Sequence, residues 1–407
     1  MNLDNTLKKG TFCGTMKILV VCSTLELNYK LGSTPSWWQL LKALYEINNE
    51  VIVIPYLGDP VESLWWRTYT NPCSRESRFY NWYLERKKKK GALSQYNAKE
   101  DTFLKRFAIK NIRNKWENYL KIILKKEKNI DVLLFLGSVP LNHITGIASE
   151  IKKEYQIPVA YFDGDLPTIL PKYAIERGFK FNSYVNADLS EFDAFFTNSK
   201  GVIPDLKELG ARNIHPIYYA VDPDLFKPVA MIKDIDVSFF GYGNTLREEW
   251  MTNMITKPSQ VLLNSNFSVA GGGFSMDLGN AKFKGDLSFS DYRHFCCRSK
   301  ICLNITRWSH TSVYASSTAR PFELAAFGAC IVSQPYNGIE EWFEVGREII
   351  MVNNEAEVLS VYQYLLDSDN EREKIGEHAR QRILKDHTYH HRAKELIRAL
   401  SSRNTET

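Results

Sequence analysis

The strongest constraint in the sequence is a repeated alternation between short, continuous apolar runs and stretches of helical spacing. Apolar runs of strand length begin near residues 17, 51, 132, 158, 192 and 213, and again near 235, 266, 301, 329 and 348. Runs that are apolar throughout, rather than at every second residue, indicate strands buried on both faces of a parallel sheet. Helices between successive strands are the connections that such a sheet needs. The sequence therefore predicts an α/β fold in which two Rossmann-like parallel-sheet domains face each other across a cleft.

A break in this rhythm near residue 220 divides the chain. Residues 220–228 carry two prolines and several turn formers, after which the alternation restarts. A length of 407 residues suits two domains of ordinary size. The predicted division is a flexible leader at residues 1–15, an acceptor-side domain at 16–219, a second domain at 220–380, and a C-terminal helix at 381–407 that packs back on the first domain.

The cysteines and the lengths of the apolar runs indicate the cellular compartment of the protein. The seven cysteines are an odd set without a C-x-x-C pair, and no Cys/His cluster has the spacing of a metal site. The apolar runs are much shorter than the roughly 20 residues that cross a bilayer. The first fifteen residues lack the apolar stretch of a signal peptide. These features predict a cytoplasmic protein with no metal.

The charge is unevenly distributed. The chain carries a formal net charge of +5, but residues 61–130 hold 18 basic and seven acidic side chains, a local net charge of +11. Aromatic residues, including Trp65, Trp66 and Trp116, are interleaved with these charges. Such a segment suits an anionic membrane surface or a lipid-phosphate-linked acceptor, with nucleic acid a weaker choice. A solvated helical insertion whose aromatic rings pack on their own core is the alternative.

Loops that follow the predicted strands are the places to search for a ligand site, because doubly wound sheets bind ligands beyond the carboxyl ends of their strands. Gly32 ends the first such loop, where a phosphate could approach helix amides, although a turn glycine is the alternative. Gly241, Tyr242 and Gly243 precede Arg247, which could donate to phosphate or be a solvated arginine at a helix start. The glycine spacing does not match a dinucleotide fingerprint, which disfavours a dehydrogenase.

Residues 316–323 form the second candidate segment. Ser317 and Thr318 are hydroxyl-bearing residues before an apolar helix, Arg320 follows them, and Glu323 is predicted near the helix start. A capping role for the hydroxyls and the glutamate is the structural alternative to ligand binding.

These segments together resemble a known family. Residues 320–333 and 338–343 look like the donor-site signature of GT-B-fold glycosyltransferases, and more narrowly of the spore-maturation-protein (CgeB-like) branch related to the family 4-type enzymes. Segments at 197–199, 221–228, 236–247, 299–304 and 387–392 agree in order. The resemblance covers about residues 190–395 well and the first half loosely.

The resemblance implies a metal-independent transferase whose nucleoside-diphosphate-sugar donor is held by the second domain. Glu323 matches the glutamate that holds the nucleotide ribose, whereas Ala315 stands where the family 4-type motif has its earlier glutamate. The diphosphate would fall to cations and hydroxyls. The donor-binding residues implied are Gly32, Gly241, Tyr242, Gly243, Arg247, Lys300, Asn304, Ser317, Thr318, Arg320 and Glu323. A hexose donor, and no cofactor, is expected.

The acceptor side offers two candidates for a catalytic base. Asp165 follows the strand that ends near Phe162 and resembles an aspartate of the CgeB-like branch; His143 is the second choice. A base is needed if transfer inverts the anomeric centre, whereas in a retaining reaction the leaving phosphate can take the proton. A turn-capping aspartate is the structural alternative.

Two other functions stay open from the sequence. A nucleotide-sugar epimerase of the same fold would release free sugar without an acceptor. A non-catalytic carbohydrate-binding or coat-associated protein would keep the fold, and the alanine at position 315 is the reason to consider it.

Overall fold

Two parallel β-sheets, each covered by helices on both faces, make up the structure. It is a computed structural model that describes residues 15–27, 35–76, 103–175, 183–184, 187–243 and 246–401. The first sheet has seven strands in the order β3-β2-β1-β4-β5-β6-β7, and the second has six in the order β10-β9-β8-β11-β12-β13. Every strand pair in both sheets is parallel. The predicted pair of parallel-sheet domains is confirmed.

The strands of the first sheet are β1 (Lys17–Thr24), β2 (Glu50–Leu57), β3 (Arg67–Thr68), β4 (Val132–Leu136), β5 (Val159–Asp163), β6 (Ala194–Thr197) and β7 (Ile214–Pro216). Those of the second are β8 (Ile235–Phe240), β9 (Phe267–Ala270), β10 (Lys282–Phe283), β11 (Ser299–Asn304), β12 (Cys330–Ser333) and β13 (Ile350–Met351). The two-residue edge strands β3 and β10 are additions to the predicted set, and both are too short to leave an apolar run.

The helices of the first half are α1 (Ser36–Glu46), α2 (Phe103–Glu127), α3 (Leu141–Ile144), α4 (Ile147–Tyr155), α5 (Pro171–Ile175) and α6 (Ile203–Glu208). Those of the second half are α7 (Glu248–Met251), α8 (Lys257–Val261), α9 (Phe289–Cys297), α10 (Trp308–Ser312), α11 (Ala319–Ala326), α12 (Glu355–Asp367), α13 (Asp369–Asp386) and α14 (Tyr389–Ser401). A π-helical turn (Thr252–Thr256) joins α7 to α8, and 3₁₀ turns lie at Leu189–Glu191 and Ile339–Glu341. None of the described helices is long and apolar enough to cross a bilayer.

Strand β1 shows why the apolar runs are continuous. Leu19 and Val21 belong to the hydrophobic core on one face of the first sheet, while Ile18 and Val20 belong to the core on the other face, and all four are fully buried. Successive side chains of a strand point to opposite faces, so a sheet covered on both sides needs an apolar residue at every position. The same reasoning applies to the second sheet, whose two faces also carry separate cores.

The C-terminal helix α14 returns to the first sheet. Its residues Ala393, Leu396 and Leu400 are buried in the core that α1 and the first sheet share. Val221 forms an isolated parallel bridge to Thr388, just before α14. Near this bridge, the Lys42 ammonium of α1 lies 2.6 Å from the Asp222 carboxylate, in a buried ion pair. The segment by which the chain leaves the first domain therefore contacts, at one place, both α1 and the segment that leads into the returning helix.

Truncating Leu396 tests how much α14 contributes to the first domain. Leu396 is fully buried, and we expect Leu396→Ala to lower the free energy of unfolding by about 2 to 5 kcal/mol, because it removes buried methyl groups and leaves a cavity. Lys394 lies on the exposed face of the same helix, so Lys394→Ala serves as the control, with an expected change within about 0.5 kcal/mol. Urea denaturation measures both. Equal, small losses would mean that α14 does not pack as described.

Candidate functional site

The carboxyl ends of the two sheets face each other across a cavity of about 520 Å³, here called the inter-domain cavity. Its first-domain wall comes from the loops after β1 and β5 and from Trp37 of α1. Its second-domain wall comes from the loops after β8, β9 and β11 and from the start of α11. Ligand sites of doubly wound sheets lie at such edges. The cavity is therefore the first candidate for a substrate site.

Two glycine-containing loops pack against each other on the second-domain wall. The amide of Gly241, after β8, donates to the Ala270 carbonyl, and that of Gly243 donates to the Gly272 carbonyl. Gly271 has a φ of 113°, and a Cβ at this position would lie 1.8 Å from the Gly241 carbonyl oxygen. Only glycine avoids both the positive φ and the collision. At Gly241, Gly271 and Gly272 the two loops consequently present backbone to the cavity, and Tyr242 adds its side chain.

The amino end of helix α11 points its first residues at the cavity. Thr318, Ala319 and Arg320 all line the wall, and Thr318 is the N-cap residue without making a side-chain capping bond. The Thr318 hydroxyl oxygen is buried and has no hydrogen-bond partner among the described residues. The first amides of a helix lack intrahelical acceptors and carry partial positive charge, so they favour an anion. An unpaired hydroxyl and these amides together make a polar pocket for one.

Three arginines surround this helix start. Arg247, Arg307 and Arg320 line the cavity and are half-buried. Burial, followed by the neighbouring charges of Arg307 and Arg320, lowers the pKa of Arg247 to about 9. Within the described part of the chain, Arg247 and Arg307 form no ion pair; Arg247 donates instead to the carbonyl oxygens of Ile305 and Tyr242. Arg247 and Arg307 therefore carry positive charge that is not paired with a carboxylate of the described residues, although Glu26, Asp165 and Asp286 line other parts of the same cavity.

Arg320 is the member of the cluster whose position is most firmly fixed. Its guanidinium carbon lies 4.6 Å from the ring centroids of both Phe240 and Tyr292, and one of its nitrogens is 3.2 Å from a Glu323 carboxylate oxygen. The Tyr292 hydroxyl donates to the same carboxylate at 3.1 Å. Aromatic faces attract a cation and the carboxylate orients it. Arg320 is thus held with one end towards the cavity.

Glu323 lies behind Arg320 and does not line the cavity. It is only 2% exposed, and it is the fifth residue of α11, too far along the helix for a capping box, in which the glutamate is the third residue after the cap. The ribose contact that the resemblance implies stays a prediction. The contacts that Glu323 makes orient Arg320. Ala315, where the earlier glutamate of the motif would stand, is fully buried.

His310 lies where the two domains contact each other at the inter-domain cavity. Its ring nitrogens lie 3.0 Å from the Ser316 hydroxyl and 3.2 Å from the Thr168 hydroxyl, which belongs to the first domain. Burial, and then the charges of Arg307 and Arg247, lowers the pKa of His310 to about 3. A neutral imidazole therefore bridges the domains without adding to the positive charge above it.

Asp165 is the carboxylate on the first-domain wall. It is exposed and accepts a hydrogen bond from the Ser138 hydroxyl at 2.8 Å. Behind it, the fully buried Asp163 accepts from Tyr184, from Ser138 and from the Asp165 amide. Burial, followed by the charge of Asp165, raises the pKa of Asp163 from its ordinary 3.8 to about 6. The pair therefore combines an accessible carboxylate with a buried one that holds its proton more tightly.

The structure brings together only some of the residues predicted from the sequence. Gly241, Tyr242, Arg247, Thr318, Arg320 and Asp165 line the inter-domain cavity, whereas Gly243, Lys300, Asn304, Ser317, Glu323 and His143 do not. Gly32 falls outside the described residues.

Several of the displaced residues have evident structural contacts. Lys300 lies near the amino end of β11, far along the strand from the cavity, and pairs with Asp236 at 2.8 Å. Asn304 donates to the Ser333 hydroxyl, and Ser317 donates to the Asn198 carbonyl across the domain seam. His143 shares a hydrogen bond with the Tyr56 hydroxyl at 2.5 Å. Lys300, Asn304 and His143 make these contacts within one domain, and Ser317 makes a contact between the two domains.

Arg307 is the important residue that sequence reasoning missed. It lies three positions beyond β11, in the loop at the carboxyl end of the strand. Arg247 was selected because it lies in the loop after β8. Arg307 lies in the loop after β11 in the same way, so the sequence already indicated it as a candidate. Asp286 and Trp37 also line the cavity. Asp286 follows β10, a strand that the sequence did not predict, and Trp37 lies in α1.

The basic segment is only partly described, because residues 77–102 lie outside the described part. Within the rest, Trp116 of α2 is buried and its ring stacks 5.4 Å from that of Tyr56, so this aromatic belongs to the core. Arg67 pairs with Glu50 and Glu127. A membrane or lipid-phosphate partner stays a prediction. In the described residues, no group of three His, Cys, Asp or Glu side chains is arranged to hold a metal ion.

Comparison with known proteins agrees with this architecture. Residues 231–398 match a family model described as glycosyl transferase-like. A search of curated sequences finds no match. Among solved structures, sucrose-phosphate synthase from Thermosynechococcus elongatus superposes with a TM-score of 0.66 at 11% identity, over 96% of this chain and all of that one. HepE from Anabaena, solved with UDP and glucose, gives 0.61 at 12% identity, over 95% of this chain and all of that one. The fold is that of the GT-B glycosyltransferases, which confirms the predicted fold class.

Replacing Asp163 tests the buried carboxylate. Because its folded pKa is raised to about 6, the associated stabilisation is complete below about pH 4 and is lost as the pH rises through 6; two units correspond to about 3 kcal/mol. Asp163→Asn cannot titrate, so we expect the free energy of unfolding to fall less between pH 4 and 7 than in the wild type. Chemical denaturation at each pH measures this.

Asp188→Asn is the matched control for this measurement. Hydrogen bonds from Ser190 lower the pKa of Asp188, so its stabilising contribution is lost only at more acidic pH, and the dependence between pH 4 and 7 should match the wild type. An unchanged dependence in Asp163→Asn would contradict the raised pKa.

Proposed function

We propose that the protein is a glycosyltransferase that moves a hexose from a nucleoside-diphosphate sugar to an acceptor hydroxyl without a metal ion. The observation that carries the proposal is the cluster of Arg247, Arg307 and Arg320 around the amino end of α11, which lacks neutralising partners for Arg247 and Arg307 among the described residues. A diphosphate has the charge and the acceptor oxygens that such a cluster favours.

The chemical step follows from this binding mode. When the bond between the anomeric carbon and the phosphate oxygen breaks, negative charge builds up on the leaving diphosphate. Fixed guanidinium groups and helix amides stabilise that charge without reorganising, which is the electrostatic contribution that a divalent cation supplies in other transferases. In this proposal Glu323 does not contact the diphosphate; it orients Arg320, which does.

Asp165 is proposed as the base that deprotonates the acceptor hydroxyl if transfer inverts the anomeric centre. Its exposure, its place on the inter-domain cavity and the hydrogen bond from Ser138 support this role. A carboxylate that reaches the hydroxyl directly can remove its proton as the new glycosidic bond forms. In a retaining reaction the departing phosphate would take the proton, and Asp165 would orient the acceptor.

The comparisons support the donor class. HepE, which shares the fold, has been solved with UDP-glucose, and the match at residues 231–398 covers the segment that supplies all three arginines. We infer a uridine or similar nucleotide, with the exposed ring of Tyr242 at the cavity edge as a stacking surface for the base. Membership of the CgeB-like branch is part of the same proposal and rests on the resemblance of residues 320–343.

Donor turnover in an Arg307 variant tests the proposed function. The purified protein is incubated with UDP-, GDP-, dTDP- and CDP-hexoses, and released nucleoside diphosphate is measured. For the donor that is turned over, we expect Arg307→Ala to lower the rate by roughly 100-fold to 1,000-fold, because one fixed donor to the developing charge is lost.

Arg298→Ala provides the control for this assay. Arg298 precedes β11 at its amino end, where it is exposed and pairs with Asp234, so its removal should leave turnover near the wild-type rate. Absence of turnover and of nucleotide binding with every donor would overturn the proposal. Release of free epimerised sugar, with no dependence on an acceptor, would replace it with epimerase activity.

A further inference from the structure

A second cavity, of about 330 Å³, lies on the first-domain side of the inter-domain cavity. It is here called the first-domain cavity. Trp37, Gly164, Asp165 and Tyr219 line both cavities, so the two meet at the exposed carboxylate of Asp165. Its volume is within the range of small-molecule sites, about 300 to 1,000 Å³. A molecule in this space would present one end to Asp165 and to whatever occupies the inter-domain cavity.

Carbon atoms form most of the wall of the first-domain cavity. The aliphatic side chains come from α1, β4 and the chain after β7, and the rings come from α1, β5 and the C-terminal helix α14. These residues are Leu40, Leu136, Ile217, Trp37, Phe162 and Tyr389, and each is at most 9% exposed. They are thus held by the packed core around them, so the cavity keeps its shape without a ligand.

One polar atom in this wall has no partner. Asn198 is 1% exposed and lines the cavity. Its amide nitrogen donates to the Ser317 carbonyl at 2.9 Å, while its side-chain oxygen is buried without a hydrogen-bond donor among the described residues. A buried acceptor left unpaired costs free energy. A ligand that brings a hydroxyl or amine hydrogen to this oxygen would recover that free energy.

We infer that the first-domain cavity binds the acceptor, and that the acceptor is a compact aromatic or apolar molecule with a reactive hydroxyl and a second hydrogen-bond donor. This inference rests on the proposed function and names its acceptor class. Ser23, Ser36, Ser138 and Arg392 also line the cavity, but most of its wall is carbon. A saccharide carries hydroxyls on every side, so several of them would lie against carbon without a partner, which costs free energy. A flat ring instead gains from burial of its faces.

In the transfer that this arrangement supports, one bond forms at the anomeric carbon as another breaks. The acceptor oxygen forms a bond to the anomeric carbon while the bond from that carbon to the phosphate oxygen breaks. The nucleoside diphosphate leaves with the bonding electron pair, and the acceptor proton passes to the Asp165 carboxylate. The second donor on the acceptor binds the Asn198 oxygen throughout and takes no part in the bond changes.

Direct binding of small probes to the wild-type protein tests the inference. The probes are 2-naphthol, 2,7-dihydroxynaphthalene, methyl β-glucoside and maltose, each measured by isothermal titration calorimetry with UDP present at saturation. We expect both naphthalene probes to bind at least tenfold more tightly than either saccharide. We also expect the dihydroxy compound to bind more tightly than 2-naphthol, because it can donate to Asn198.

Two variants tie this binding to the cavity. Leu40→Phe should narrow the cavity and weaken naphthalene binding at least tenfold. Leu44→Phe is its control, because Leu44 is fully buried in the same helix but does not line the cavity. Asn198→Leu should remove the advantage of the dihydroxy compound over 2-naphthol. Circular dichroism checks that each variant is folded, and Leu40→Phe keeps the test decisive if Asn198→Leu is unstable.

UDP binding measured alone separates the two proposals. If UDP binds but the naphthalene probes bind no better than the saccharides, or if Leu40→Phe leaves their binding unchanged, the acceptor class is wrong while the proposed function stands. If UDP and the other nucleoside diphosphates fail to bind, the proposed function fails first. Tight naphthalene binding that is lost in Leu40→Phe and kept in Leu44→Phe supports the inference.

Discussion

Positive charge gathered at the amino end of α11 is the feature on which the account of this protein depends. Arg247 and Arg307 come from the loops after β8 and β11, and Arg320 comes from the start of α11, so the second sheet and this helix must form correctly for the arginines to meet. Like charges brought together repel each other, and partial burial removes some of the water that would screen them. The protein offsets this for Arg320 with Glu323 and two aromatic rings. For Arg247 and Arg307, a bound anion would relieve the repulsion, and in the proposed function that anion is the diphosphate of the donor.

The two cavities differ in the polarity of their walls. One side of the inter-domain cavity is polar and cationic, while the first-domain cavity beyond Asp165 is lined mainly by carbon. A donor with a charged leaving group and an acceptor with a single reactive hydroxyl would then meet at one carboxylate. The C-terminal helix contributes Tyr389 and Arg392 to the first-domain cavity, so its return to the first domain completes a binding surface as well as a hydrophobic core.

Much of the fold could be predicted from the sequence because strands in a doubly covered parallel sheet leave a continuous apolar run. Strands β3 and β10 could not, since β3 is Arg-Thr and β10 is Lys-Phe, and neither forms an apolar run. The site was harder to predict. Lys300 lies within β11 near its amino end and Arg307 lies beyond its carboxyl end, and of the two only Arg307 lines the cavity. Glu323 was expected near a helix start and as a donor-binding residue; its ion pair with Arg320 became visible only in the assembled helix α11.

Calorimetric titration with UDP, UMP and uridine tests the central claim most directly, because the three ligands share a base and a ribose and differ in phosphate charge. If the arginine cluster holds the diphosphate, UDP should bind at least tenfold more tightly than UMP, uridine should bind weakest, and the advantage of UDP should shrink in Arg307→Ala. Should uridine bind as tightly as UDP, or Arg307→Ala retain the full preference for the diphosphate, the cluster would not be a diphosphate site. GDP, dTDP and CDP with their monophosphates replace the uridine series if UDP is not the preferred nucleotide.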